Sequence, residues 1–227
     1  MEEALTRVAD EHIEVTCAGR TDTGVHATGQ VVHFDTVSER DERGWLLGAN
    51  SNLPDDIGVT WAARVEDEFH ARFSATARHY RYRILNRLQR SALQRHRAWW
   101  VYTPLDAERM HLAAQQLLGE HDFSAFRAAG CRAATPNRHI TTLNVTRSGD
   151  WITLQVSANA FLQHMVRNIT GTLISIGDGS QDIGWIDDVL ASRDRKKGGI
   201  AAPPHGLTLM AVDYPDEFGI PKTVDMD

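Results

Sequence analysis

The chain has 227 residues, 42% of them hydrophobic and 24% charged. That is an ordinary globular composition, and the length suffices for one large domain or two smaller ones. The 30 acidic residues outweigh the 24 basic ones, for a formal net charge of −6, which excludes a protein basic over its whole surface but not a local basic groove. Cys17 and Cys131 make no disulfide framework, no apolar run approaches the ~20 residues that span a bilayer, and the acidic start Met1-Glu2-Glu3-Ala4-Leu5 is unlike a secretory signal. A reducing, cytoplasmic setting is the expectation.

Residues Glu2 to Glu11 read as a helix with Leu5, Val8 and Ala9 on one face. Ile13 to Ala18 and Gln30 to Phe34 read as strands on either side of a glycine-flanked loop, and Asp41 to Leu47 as a short helix. Asn52-Leu53-Pro54-Asp55-Asp56 is a turn. Tyr80-Arg81-Tyr82-Arg83-Ile84 alternates strictly, with the tyrosines and Ile84 on one face and the arginines on the other. Thr103-Pro104 predicts a helix start, Met110, Ala113, Ala114, Leu117 and Leu118 its buried stripe, and Gly119 its end. Two strands, Ile140 to Arg147 and Trp151 to Ala158, flank a Ser148-Gly149-Asp150 turn. A helix from Phe161 to Ile176 follows, with Leu162, Met165, Val166, Ile169, Leu173 and Ile176 facing the core; Trp185 to Ala191 is a short helix and Leu207 to Val212 a last strand. Helices mixed with hairpins predict an α+β fold, largely antiparallel sheets with helices on one face. A helix, strand and hairpin recur in each half, so two similar halves, 1–76 and 77–227, are expected.

The loop Gly19-Arg20-Thr21-Asp22-Thr23-Gly24-Val25-His26 gathers an arginine, a carboxylate and a histidine at the end of a strand, a place where functional residues are often displayed. Arg20 and Asp22 are two apart, so in extended backbone their side chains point the same way. Between Arg72 and Arg97 stand eight arginines with no Asp or Glu among them. A second basic cluster is Arg193, Arg195, Lys196 and Lys197; acidic residues gather from Glu39 to Glu42 and from Asp213 to Asp227. This distribution predicts a basic groove on an acidic body. Arg167 sits mid-span in an apolar helix, where an arginine calls for a partner, and a salt bridge to Asp22 is expected.

The stretch Ala18 to Phe34, AGRTDTGVHATGQVVHF, resembles the signature of the TruA-type tRNA pseudouridine synthases. The likeness continues in family order through Asn50-Ser51-Asn52-Leu53-Pro54, Phe69-His70-Ala71-Arg72-Phe73, Ala77-Arg78-His79-Tyr80-Arg81-Tyr82, Asn159 to Asn168 and Gly206-Leu207-Thr208-Leu209. The resemblance implies two ferredoxin-like halves with an active-site cleft between them. It implies an isomerase converting uridine to pseudouridine in the tRNA anticodon stem-loop, at positions 38 to 40, and a homodimer in which one tRNA contacts both subunits. Asp22 is then the nucleophile; a carboxylate that attacks sugar or base splits one hard step into two. Nothing is oxidised or carried away, so no cofactor and no metal are expected. Arg20 takes the role of flipping the base out of its stack. Tyr80, as the first of the Tyr-x-Tyr pair, belongs to the active site by resemblance, although strand geometry alone does not choose between Tyr80 and Tyr82. Phe69, His70, Ala71, Arg72 and Phe73, with Gly130, Cys131, Arg132, Ala133, Ala134 and Arg40, match segments that touch tRNA, positioning it more than reading its sequence.

Members of the family usually open with a strand and a Gly/Tyr-rich loop before the first helix, whereas this chain opens in that helix. A truncated form or a misassigned start is the reading, with an exposed sheet edge in the first half. Two other functions compete: an inactive RNA-binding protein of the same fold, and a metal-dependent hydrolase using Asp22, His26, His33 and Asp35.

Overall fold

In the computed structural model, residues 1–221 are described. The helices and strands run, in chain order, α1 (Glu2–Ala9), β1 (Thr16–Cys17), β2 (His26–Ala27), β3 (Val32–His33), α2 (Glu42–Asn52), β4 (Ala77–Asn86), β5 (Trp99–Val101), α3 (Ala107–Gln115), β6 (Gly119–Asp122), β7 (Asn137–Ser148), β8 (Trp151–Ala158), α4 (Met165–Gly177), α5 (Trp185–Ser192) and β9 (Leu207–Asp213). This is the α+β architecture that the mixture of helices and hairpins implies. The chain forms two compact units.

Of the described residues, the first unit comprises Met1–Arg20, Gln30–Ala75 and 214–221. β1 pairs antiparallel with β3, with Cys17 opposite Val32. The apolar faces of α1 and α2 supply Leu5, Ala9 and Ala49, which close over Ile13; Phe34, Trp45, Leu53 and Val59 pack around them. Asp41 caps α2 by accepting from the Gly44 N–H, which is why that helix starts where expected; it runs on to Asn52 instead of stopping at Leu47. β1 and β3 are shorter than the strands read from the apolar runs, because only two residues of each find a ladder partner.

The second unit comprises Thr21–Gly29 and Thr76–Asp213. Its sheet has the order β2-β9-β4-β8-β7-β6, with β5 beside the end of β4. The long pairings, β4 with β8 and β9 and β7 with β8, are antiparallel; β2 with β9 and β4 with β5 are parallel. Helices α3, α4 and α5, with the turn after α3, bring Met110, Leu117, Met165, Ile169, Leu173 and Ile186 onto one sheet face, against Tyr82, Ile84, Leu154 and Val156. Alternation places Tyr80 and Tyr82 on that helix-covered side.

Three boundaries shift for local reasons. Asp106, not Thr103, caps α3, accepting from the N–H groups of Glu108 and Arg109, while the Thr103 carbonyl is taken by Asn86 Nδ2. α3 tightens into i+3 bonds at Leu117 and Leu118, and Gly119, at φ +90°, opens β6 rather than ending the helix. α4 begins at Met165, because Phe161 packs edge-on against Tyr80 and Leu162 is buried, so this segment turns before the helix starts. Part of the acidic segment after Asp213, with Asp225 and Asp227, lies outside the described residues.

Candidate active site

The loop carrying Asp22 is pinned at its base. Within the first unit Gln30 Nε2 donates to the Gly19 carbonyl at 2.7 Å. Within the second, Asp22 to Val25 forms a β-turn closed by the Val25 N–H on the Asp22 carbonyl at 3.0 Å. Gly24 takes φ +84° at its third position, which favours a residue without a Cβ. Beyond the turn, His26 and Ala27 pair with Thr208 and Leu209 of β9, and the N–H groups of Thr28 and Gly29 both reach the Leu209 carbonyl.

Asp22 is half-buried and its carboxylate meets the start of α4. Arg167 Nη1 donates to Asp22 Oδ2 at 2.9 Å, so the expected ion pair is present. The helix explains the aim of the guanidinium. Gly171 lets α4 approach the 199–202 segment so closely that a Cβ there would lie 1.6 Å from the Ile200 carbonyl oxygen. Across that contact the Ala202 N–H donates to the Arg167 carbonyl at 3.0 Å and Arg167 Nε donates to the Ala202 carbonyl at 2.8 Å. With only 13% of its side chain exposed, Arg167 is not on a solvent-facing side of the helix; its charge is spent inside, on one carbonyl and one carboxylate. The pair is charge-assisted and one of its members is largely buried, which fixes the direction in which the carboxylate points.

A third residue joins them. His164 Nε2 stands 3.3 Å from the same Asp22 Oδ2. His164 caps α4 with φ 62° and ψ 5°, a left-handed conformation uncommon outside glycine and asparagine. The sequence holds a clue to it, because His164 and Arg167 are three apart and share a helix face; a helix taken to begin at Phe161 hides the histidine inside the first turn.

Tyr80 lies in the same unit, its ring 5.0 Å from Phe161, three residues before His164. Tyr82 is fully buried and its hydroxyl donates to the Pro203 carbonyl at 2.7 Å; burial pushes its phenol well above the ordinary range. Tyr82 is therefore a core residue, which separates the two tyrosines where alternation did not.

The loop Gly130-Cys131-Arg132-Ala133-Ala134 is stapled next to this site. Arg127 Nη2 donates to the carbonyls of Cys131 and Ala133, and the Gln163 N–H points to Cys131 Sγ at 3.5 Å. Burial opposes ionisation of the Cys131 thiol, but the N–H groups of Ala133 and Gln163 and the Arg127 guanidinium hold it below its usual value. Gly130, Arg132 and Ala134 are exposed.

In the first unit Phe69 and Ala71 are buried. The Phe69 ring packs against His33, Tyr214 and Phe218. The Ala71 N–H donates to His33 Nδ1 and its carbonyl accepts from the Tyr214 hydroxyl. Their neighbours form the outer surface: Phe73 is 75% exposed, His70 stacks on it at 4.3 Å and the Arg72 guanidinium lies 5.5 Å from its centroid. Arg20 and Arg40 are exposed. The basic run is partly spent internally, with Arg78 on the Asn159 carbonyl, Arg83 stacked on Trp151 and Arg87 paired with Asp150, while Arg90, Arg95 and Arg97 are exposed. His26 donates from Nε2 to the His96 carbonyl. Among the described residues no three His, Cys, Asp or Glu groups stand together as metal ligands.

A loop carboxylate held by an internal arginine, on an α+β scaffold, makes this a carboxylate-centred site. The family model for tRNA pseudouridine synthases matches residues 1–74 and 113–215. The chain is 54% identical over 222 residues to a tRNA pseudouridine synthase A of Methylococcus capsulatus, covering 98% of this chain and 82% of that one. It is 55% identical to the protein of that name from Pseudoalteromonas atlantica, covering 84% of it, and 54% identical to the one from Shewanella baltica, covering 85%. The chain belongs to the tRNA pseudouridine synthase family.

Proposed function

We propose that this protein isomerises uridine to pseudouridine in the anticodon stem-loop of tRNA, at positions 38 to 40, with Asp22 as the nucleophile. The observation that carries the reading is the ion pair of Asp22 with Arg167 at 2.9 Å, set in the signature loop of a family whose name states the chemistry. The reaction breaks the N1–C1′ bond of the nucleotide and joins C1′ to C5 of the same base; the C5 proton is lost and N1 gains one, so atoms balance without a co-reactant. Such a reaction needs a group that adds to sugar or base and later leaves, and an ionised carboxylate does both. Arg167 keeps Asp22 aimed. Tyr80 stacks on the flipped base, supported by its packing on Phe161, and Arg20 occupies the gap that the base leaves.

His70, Arg72 and Phe73 form an aromatic and cationic platform suited to a splayed nucleotide. Phe69 and Ala71 belong to the same RNA-binding segment, and Gly130, Cys131, Arg132, Ala133 and Ala134, with Arg40, make further contacts to the RNA backbone. No helix among the described residues is long and apolar enough to cross a membrane, and Cys17 and Cys131 are free thiols, in keeping with work on tRNA in the cytoplasm. The family resemblance extends the reading to a homodimer, which sedimentation at working concentration tests.

Carbodiimide mapping of a treated, unmodified tRNA transcript tests the substrate. Product confined to uridines 38 to 40, and lost when those are replaced by cytidine, is the expected result; product elsewhere in the transcript would overturn the assignment.

A further inference from the structure

Both polar partners of the Asp22 carboxylate fall on one oxygen. Arg167 Nη1 reaches Oδ2 at 2.9 Å and His164 Nε2 stands 3.3 Å from the same atom. Among the described residues no hydrogen bond or ion pair reaches Oδ1. We infer that His164 is a second positioning residue, clamping Oδ2 together with Arg167 so that Oδ1 is the atom that attacks the substrate. This inference rests on Asp22 being the nucleophile.

The clamp follows from how the two donors are mounted. Arg167 is locked by its bond to the Ala202 carbonyl and fixes one direction of approach. A single contact of this kind leaves the carboxylate free to swing about it; a second donor from a different direction removes that freedom. His164 sits three residues earlier, at the cap of the same helix, and its ring reaches Asp22 from a backbone held at φ 62°. A non-glycine residue persists in that conformation only where its surroundings over-determine it, and such residues gather at working sites. The imidazole is not aligned for a full hydrogen bond to Oδ2, an arrangement common in sites that tighten when substrate binds. The Cys131 loop lies behind it, bonded through Gln163, so the histidine is also buttressed from the preceding residue.

A purely conformational role for His164 and a clamp make opposite predictions for glycine. Glycine adopts φ 62° without a Cβ penalty, so His164→Gly is expected to melt no lower than wild type. Its single-turnover rate on saturating tRNA transcript is expected to fall about 10- to 100-fold, the loss of one hydrogen bond to a charged group in the transition state, with tRNA affinity unchanged. His164→Gln, whose amide N–H reaches toward the same oxygen, is expected to recover most of that rate. A glycine variant that turns over like wild type, or whose loss lies entirely in tRNA affinity, would overturn the inference, as would a glutamine variant no faster than glycine. Asp22→Asn run alongside separates this inference from the reading beneath it. If Asp22→Asn still makes product, the nucleophile assignment fails; if Asp22→Asn is dead while His164→Gly is fully active, only the clamp fails.

Discussion

Arg167 shows how one residue joins folding to chemistry. Its guanidinium satisfies the Ala202 carbonyl and the Asp22 carboxylate through a planar, forked array of donors. Lysine has the charge but not the fork, so Arg167→Lys is expected to behave like Arg167→Ala. Both should lower the isomerisation rate about 100-fold or more while binding tRNA nearly as well as wild type, measured by single-turnover product formation and filter binding. Full activity in either variant would show that the ion pair is dispensable. His33 is a second residue whose state matters. Burial, with His70 beside it, holds its imidazole below the ordinary value, against the pull of Asp35. The unfolded chain takes up a proton near pH 6.5, about the ordinary imidazole value, which the folded one resists. Stability is therefore full above that pH and is lost as pH falls toward the lower folded value. The neutral ring also accepts from the Ala71 N–H, a bond that protonation at Nδ1 removes. The melting temperature should drop as pH falls below about 6.5, and the drop should shrink in His33→Gln; an identical pH dependence in that variant would contradict the account.

Among the elements, α4 does most to build the site, and its placement depends on close backbone contact. At Gly171 a methyl group would collide with the Ile200 carbonyl, and across the same contact a Cβ on Gly199 would lie 2.5 Å from the Gly171 carbonyl oxygen. Neither neighbour is the end of a flexible side chain, so the clash is relieved only by moving the helix. Gly171→Ala is expected to destabilise the fold by about 3 kcal/mol, seen in thermal unfolding, and to lower activity further by displacing Arg167. A wild-type melting temperature would show that the segment yields. The turn holding Asp22 is the matching element on the other side of the ion pair, and its Gly24 is needed for a different reason, the positive φ of +84°.

At the scale of the molecule, legibility followed the range of the interactions. The strand Trp151 to Ala158 was readable end to end because its burial alternates residue by residue, and α3 was readable from its apolar stripe, though not its cap. β2, β5 and β6 were not, since elements of two to four residues exist only through distant partners, as when Ala27 pairs with Leu209 or Trp99 with Ile84. The same limit governed the site. Asp22 stood out locally in its loop, and Arg167 as a misplaced charge in an apolar helix, but their meeting spans 145 residues. The role of His164 is hidden in the sequence because it depends on where α4 begins, a start set by Phe161 and Leu162 entering the core. Burial of Phe69 and Ala71 was equally invisible, since the aromatic cage around Phe69 is assembled with Tyr214 and Phe218 from the far end of the chain.

The central claim is that Asp22 is the nucleophile of a uridine isomerase, and it is tested most directly by tritium release from an unmodified tRNA transcript labelled at uridine C5, with wild-type chain and Asp22→Asn compared side by side, each also assayed for tRNA binding. Release by the wild type, none by the variant and equal binding by both is the result the account predicts. Release by Asp22→Asn, or loss of tRNA binding together with activity, would contradict it and make Asp22 a structural residue.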